Sequence, residues 1–443
     1  MIIFKKLEEF QERLGDFIEK YYKQLMVVIC LVYVGTRLFK LTEIPSGMNF
    51  DELGIAYDAF SLSLDHIDRY RYKMPFYLIN FGGGQSIMYT YITMILCMIF
   101  DYSKFILRFP AVICGLVTTI SAYLIGFELF KSRKAAVFTG FLFMICPVLF
   151  MSQRWALDSP LMLPFFMVSF YFFLMAIKTE KTYWYLFAGV GFGLTLYNYA
   201  LSYVILPLFL FLTIIYLWRV GRLKVSKIVV MFIPIVVLAF PLILMLAINK
   251  GYIPEIRATY FSIPKLPMYR EGEMTIKNIP NNFYMLKNLF SYDWLYYSAL
   301  PEFGTMFYIS IPFALYGLGA AVKNTYISVR KKILDLQGLI LFSFICPFCI
   351  VMILDSPTIS RAYFIYFSLL IFTIIGIRAL YRKCKSSIIP MCGIYMIGFI
   401  CFCVFYFTVY PIKYASQLNF FQCELGLSFR RFIHNTWILS VLQ

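Results

Sequence analysis

Twelve apolar runs divide this chain, most of them near the length a helix needs to cross a bilayer, and short basic stretches separate many of them. They fall at about 25–41, 86–100, 105–130, 135–153, 160–177, 183–200, 201–218, 228–248, 303–322, 336–354, 362–377 and 388–410. With 61% of its 443 residues hydrophobic, only 14% charged and a mean hydropathy of +0.76, the chain is more apolar than soluble domains are. The expected fold class is all-α, a polytopic membrane protein.

The basic stretches set the topology. They are Lys131-Ser132-Arg133-Lys134, Lys178 with Lys181, Arg219 through Lys227, Lys323 through Lys332, and Arg378 through Lys385. If all twelve runs crossed, these clusters would lie opposite an N-terminus that itself carries five Lys and Arg, against the tendency of basic loops to stay cytoplasmic. The run at 86–100 is the shortest candidate and follows Gly82-Gly83-Gly84, so it reads as a helix lying in the interface. About eleven spans result, with every basic cluster on the N-terminal side. Residues 1–24 mix acids and bases around apolar positions and read as a cytoplasmic interfacial amphipathic helix, with an uncleaved first span after it. The segments 42–104, 154–159, 249–302, 355–361 and the C-terminal tail then share the outer face. The loop 249–302, with Pro254, Pro264, Pro267 and Pro280, reads as irregular backbone over the membrane with one helix near 281–290.

Composition also excludes several classes. The formal charge of +17 sits in short clusters between apolar runs, the pattern of loops facing anionic lipid and not of nucleic-acid binding. Only His66 and His434 occur, which rules out a histidine-rich metal site. The eleven cysteines are scattered; Cys346-Pro347-Phe348-Cys349 lies inside an apolar run and reads as packing, not as a redox pair.

Polar residues distant in sequence converge on the outer face. Asp51 and Glu52 open the first outer loop, Arg154 through Asp158 fills the next turn, Arg108 lies near the outer end of 105–130, and Arg361 at the outer end of 362–377. Acids held at a bilayer edge are costly and point to function. An acid can activate an acceptor while arginines hold a phosphate. Each residue also has a plainer reading. Glu52 orients an acceptor or caps the helix starting at Asp51; Asp158, before Ser159-Pro160, acts on substrate or caps a helix. Arg154 and Arg361 bind a donor or snorkel to the interface. Tyr57, Tyr70, Tyr72, Tyr77 and Trp155 stack on sugars or form the interfacial aromatic belt. Asn80 through Ser86 reads as a flexible hinge beside the site.

Met48-Asn49-Phe50-Asp51-Glu52, Leu107-Arg108-Phe109-Pro110-Ala111, the Arg154 to Pro160 stretch and Arg361-Ala362-Tyr363 together resemble the integral-membrane GT-C glycosyltransferases of the protein-mannosyltransferase and aminoarabinose-transferase type. The resemblance is fullest over the first half of the chain. It implies a polyprenyl-phosphate sugar donor used on the extracytoplasmic face, with Asp51 as the catalytic base and inversion at the anomeric carbon. It also implies cations at the departing phosphate, for which Arg108, Arg154 and Arg361 are the candidates and Lys73, in Lys73-Met74-Pro75, the reserve. The acceptor would be a glycan, lipid or protein, and the site a bacterial plasma membrane. A divalent cation held by Asp51 and Asp158 stands as the alternative to metal-free catalysis. The implied organisation is an interfacial helix over 1–24, a transmembrane catalytic module over 25–248, an outer loop over 249–302, and a C-terminal transmembrane module with an outer tail over 303–443. The rival functions are a flippase or transporter of a lipid-linked saccharide, a non-catalytic scaffold, or a glycan polymerase or ligase. Transporters place ionisable groups at the midplane, whereas here the spans are nearly free of acids.

Overall fold

The computed structural model describes residues 2–80, 82–269, 272–292 and 296–414. Helix α1 (Ile2–Leu38) departs from helical geometry at Tyr21 (φ −110°, ψ 23°), near the expected end of the interfacial segment. The first outer loop then holds α2 (Phe50–Asp65), a hairpin of β1 (Leu78–Asn80) and β2 (Gly83–Gln85), and α3 (Met88–Ile99). At 12 residues, α3 is about 18 Å long, too short to cross a bilayer, and it packs along α2.

The remaining helices are α4 (Lys104–Phe130), α5 (Arg133–Ile145), α6 (Pro147–Ser152), α7 (Met162–Thr179), α8 (Thr182–Thr195), α9 (Ser202–Arg219) and α10 (Val225–Asn249). A second hairpin, β3 (Ile256–Arg257) with β4 (Ser262–Ile263), and the short α11 (Tyr284–Asn288) follow in the 249–302 loop. The chain continues through α12 (Ser310–Lys331), α13 (Gln337–Ile353), α14 (Ile365–Lys383), α15 (Ile388–Thr408) and α16 (Tyr410–Lys413). The outer tail expected beyond residue 414 lies outside the described residues.

Every run read as a span contains a helix, and six helical stretches are long and apolar enough to cross a membrane by length and composition: Lys104–Phe130, Ser159–Thr179, Ser202–Arg219, Val225–Asn249, Ile365–Lys383 and Ile388–Thr408. Several boundaries differ from expectation, two of them for a reason the sequence shows. The run at 135–153 is broken at Cys146 (ψ 121°), where Pro147 starts α6 because proline suits the first turn of a new helix. The cluster from Lys323 is not a loop: Lys323, Arg330 and Lys331 ride the last turns of α12, where cations oppose the negative end of the helix dipole, and Lys332 ends it in left-handed geometry.

Ion pairs gather three of the basic stretches at one end of the bundle. Glu19 meets Arg133 at 3.7 Å, Asp16 meets Lys134 at 4.0 Å, Glu128 accepts from Lys178 at 2.9 Å and pairs with Lys131, and Glu180 pairs with Lys224. The acids and arginines of the candidate site occupy the opposite end. In lipid, helices associate through close packing and not through the exclusion of water. The pair α12 and α14 shows this: a Cβ on Gly317 would lie 1.9 Å from the Phe372 carbonyl oxygen, and one on Gly376 2.3 Å from that of Phe313.

The 249–302 loop stitches the outer end together. Phe76 N–H donates to the Ser262 carbonyl at 3.0 Å, Met268 N–H to Gly82 at 2.8 Å, and Tyr72 Oη to Glu255 at 2.8 Å. On its far side, Thr275 N–H donates to Ile353 and Asp355 N–H to Glu273. The loop therefore ties the first outer loop to the turn carrying Arg361.

Candidate active site

The site is built from the first turn of α2. Asn49 caps the helix, its Oδ1 accepting from Asp51 N–H at 2.9 Å, while Glu52 reaches back to accept from Asn49 N–H at 3.3 Å. Adjacent residues on a helix diverge by about 100°, so the two neighbouring acids part company. Glu52 turns inward and is fully buried; Asp51 is exposed.

Asp51 lies beneath the β1–β2 hairpin. Its Oδ1 accepts from Asn80 Nδ2 at 2.9 Å, and its backbone carbonyl from Gln85 Nε2 at 3.4 Å. Asp158, half-buried just before α7, faces the same space. Burial, reinforced by the negative charge of Asp51, pushes its carboxyl up to about 7, against the opposing pull of N–H groups from Ser86 and Ser159. Tyr199, in the turn between α8 and α9, closes the group. Burial raises its hydroxyl well above the ordinary phenol value, while the nearby Arg361 pulls it back, and Asp158, Tyr297 and Asp51 all lie within electrostatic reach. Arg361 is partly exposed and donates from Nη1 to the Asp355 carbonyl at 3.1 Å. Two carboxylates, a tyrosine and an arginine thus converge at the end of the bundle opposite the basic loops.

Four expected site residues do not join them. Glu52 accepts from Arg108 Nε at 2.7 Å, Arg108 Nη2 at 3.0 Å and Ala156 N–H at 3.0 Å, in a pocket closed to solvent. Arg108 gives its other donors to the carbonyls of Leu41, Pro45 and Gly47, so its guanidinium is engaged at all three nitrogens. Arg154, also fully buried, donates to the carbonyls of Thr36, Arg37, Phe39, Lys40 and Ile44, capping the C-terminal end of α1. Both guanidinium groups are closed to solvent and bonded to backbone carbonyls, and both fold the first outer loop against the spans. Lys73 is exposed on the loop surface, 6.0 Å over the Tyr260 ring. Among the described residues no three His, Cys, Asp or Glu side chains converge, so a cation at Asp51 and Asp158 would draw its other ligands from substrate and water.

The matched family model is that of dolichyl-phosphate-mannose-protein mannosyltransferases, over residues 84–246, less than half of the chain. ArnT from Cupriavidus metallidurans in its apo state superposes with a TM-score of 0.57 at 15% identity, covering 85% of this chain and 63% of that one. The archaeal oligosaccharyltransferase AglB from Archaeoglobus fulgidus, in complex with an inhibitory peptide and a dolichol-phosphate, gives 0.53 at 14% identity over 90% of this chain and 56% of that one. This is a GT-C fold. ArnT bound to undecaprenyl phosphate matches at 0.51 and 13% identity, over 84% of this chain and 62% of that one. The chain thus spans under two thirds of the length of these relatives. No curated protein sequence matches it significantly.

Within this fold, sequence reasoning passed over Tyr199, Asn80, Gln85 and Ser86 as candidate site residues. The glycine-rich stretch is a packed hairpin and not a hinge: Gly82 turns it at φ +78°, and a Cβ on Gly84 would lie 1.9 Å from the Tyr77 ring. Asn80, beside the turn, and Gln85, at the open end, are both buried, and their need for partners emerges only once the hairpin is folded. Tyr72, Tyr77 and Trp155 are buried in packing; Trp155 sits between the Arg108 guanidinium at 5.0 Å and the Tyr297 ring at 6.2 Å.

Proposed function

We propose that this protein is a membrane glycosyltransferase that moves a monosaccharide from a polyprenyl-phosphate donor to a hydroxyl of a glycan, lipid or protein acceptor, on the extracytoplasmic face and with inversion. The observation that carries this reading is the convergence of Asp51, Asp158, Tyr199 and Arg361 at the end of a GT-C bundle opposite its basic loops. Structures of relatives bound to undecaprenyl phosphate and to dolichol-phosphate support the lipid-phosphate class of donor. The basic end faces the cytoplasm in this reading, with the N-terminus, in a bacterial plasma membrane.

The acceptor hydroxyl gives its proton to Asp51 as its oxygen bonds the anomeric carbon. The bond from that carbon to the phosphate oxygen breaks, and the electron pair leaves with the lipid phosphate. Charge grows on the phosphate during the step, so Arg361 stabilises the transition state more than the ground state. Asp158, its carboxyl raised to about 7 by burial and by Asp51, carries a proton in about half of the molecules at neutral pH, and in that form donates a hydrogen bond and does not repel the phosphate.

The test is transfer from a panel of radiolabelled polyprenyl-phosphate sugars to endogenous membrane acceptors, by the parent and by Asp51→Asn. Transfer by the parent alone supports the reading. Equal transfer by a folded Asp51→Asn removes Asp51 as the base, and movement of lipid-linked sugar across vesicles without transfer makes the protein a transporter.

A further inference from the structure

We propose that Asn80, backed by the Arg69–Asp58 ion pair, is a positioning residue that fixes the orientation of the Asp51 carboxylate for proton abstraction; this rests on the function proposed above. Asp58 is fully buried on α2 and accepts from Arg69 at both oxygens, Nε to Oδ1 at 3.0 Å and Nη2 to Oδ2 at 2.7 Å, with Arg69 N–H adding a third bond at 3.1 Å. That fork already pairs both charges. The remaining guanidinium nitrogen, Nη1, points to Asn80 Oδ1 at 3.3 Å.

Arginine has no acceptor, so the Asn80 atom facing it must be the carbonyl oxygen, and the amide nitrogen must face Asp51. The contact at 2.9 Å is therefore an N–H donated to the Asp51 carboxylate, which favours its ionised form. Asp58 pairs the arginine charge, so what the Arg69–Asn80 chain passes on to Asp51 is the orientation of a neutral donor. The hairpin grips the same residue a second time through Gln85.

An independent observation shows that the backbone makes room for this chain. Gly54, one turn beyond Asp51 on α2, lies against it: a Cβ there would fall 2.7 Å from Arg69 Nη2 and 2.7 Å from Asn80 Oδ1. Glycine weakens a helix interior, so its presence at the one position where a methyl would collide with both groups is accounted for by their close approach.

The experiment is steady-state transfer by purified, full-length Asn80→Leu and Gly54→Ala, each alone and combined with Asp51→Asn, with thermal unfolding as the folding control. The expected result is a fall in kcat of about 10- to 100-fold in each single variant, the range found when a partner that orients a reacting group is removed, with KM for the donor lipid within about twofold. On the residual transfer of Asp51→Asn, measured at high enzyme concentration, the second substitution should add less than about threefold, because a residue that acts through Asp51 has nothing left to position. Losses that multiply, an unchanged kcat, or a raised KM alone would overturn the proposal. Asn80→Ser carries the same test if Asn80→Leu does not fold. The two readings fail differently: an active Asp51→Asn sinks the general base, whereas an inactive Asp51→Asn with parent-like Asn80 and Gly54 variants sinks only the positioning role.

Discussion

Glu52→Gln separates a structural Arg108 from a phosphate-binding one. The Glu52–Arg108 pair is closed to solvent on both sides, and the carboxylate takes four hydrogen bonds, from Arg108 Nε and Nη2, Ala156 N–H and Asn49 N–H. Glutamine keeps the shape, but it leaves the guanidinium charge buried without its counter-ion and turns an amide NH₂ towards groups that are themselves donors. Breaking a buried pair by removing one partner costs about 3–5 kcal/mol. The three carbonyls that also hold Arg108 place this case near the lower end, about 3 kcal/mol. An unfolding entropy of about 2.1 cal/mol/K per residue over 443 residues is roughly 0.9 kcal/mol/K, so the midpoint should fall by about 3 °C. Fluorescence-monitored thermal unfolding in detergent measures it. Removing both charges with Glu52→Gln/Arg108→Met should recover at least half of the loss, because the uncompensated charge goes too. A midpoint within about 1 °C of the parent, together with a large rise in KM for the donor lipid, would refute the reasoning and return Arg108 to the donor site.

Three further outcomes follow from the same geometry. Arg361→Ala should raise KM for the donor and lower kcat, by about 10-fold or more in kcat/KM, whereas Lys73→Ala, on the exposed loop surface, should change it less than about threefold; transfer kinetics against donor concentration distinguish them. Because the folded state raises the Asp158 carboxyl from 3.8 to about 7, it holds a proton that the unfolded chain releases, so this contribution to stability is complete below about pH 4 and is lost as pH rises through about 7. Asp158→Asn should flatten that part of the curve of Tm against pH and remove an ionisation near 7 from the pH profile of kcat/KM. Gly317→Val should destabilise the α12–α14 contact strongly, while Gly319→Val on the same helix, with nothing within 4 Å of a new Cβ, should shift the unfolding midpoint little.

The helical layout was legible in the sequence because lipid enforces it: apolar length alone identifies helices, and the clustering of Lys and Arg separates the two ends. The ion pairs of Glu19, Glu128 and Glu180 with Arg133, Lys178 and Lys224 join basic stretches that the sequence could only assign to one side by parity. The placement of Asp51, Asp158 and Arg361 at one end of the bundle was also legible, as charged residues at the ends of apolar runs. What the sequence could not separate was Asp51 from Glu52, since adjacent acids look alike until a capping box turns one of them inward. Nor could it tell Arg361 from Arg108 and Arg154. All three stand at span ends, and it is burial and the carbonyls around each guanidinium that distinguish them. Tyr199 and Asn80 gave no signal because tyrosine is common at any membrane interface and the relevant partners of Asn80 are 11 and 29 positions away.

Arg108 and Arg154 explain how the first outer loop keeps a fixed shape at the membrane surface. A loop at the membrane surface has backbone carbonyls that neither lipid nor a regular ladder satisfies, and each one left unpaired is costly. Arg108 and Arg154 between them take eight such carbonyls from residues 36–47, the stretch leading from α1 into the cap of α2. Glu52 then neutralises one of the two charges and bonds the Ala156 N–H, two residues from Asp158. The same side chain that caps α2 therefore fixes the first turn of that helix relative to the segment bearing the second carboxylate. This connection and the hairpin, whose Gln85 bonds Asp51 and whose Ser86 bonds Asp158, together set the separation of the two acids, so substitutions at Glu52 should disturb their pairing even though Glu52 is closed to solvent.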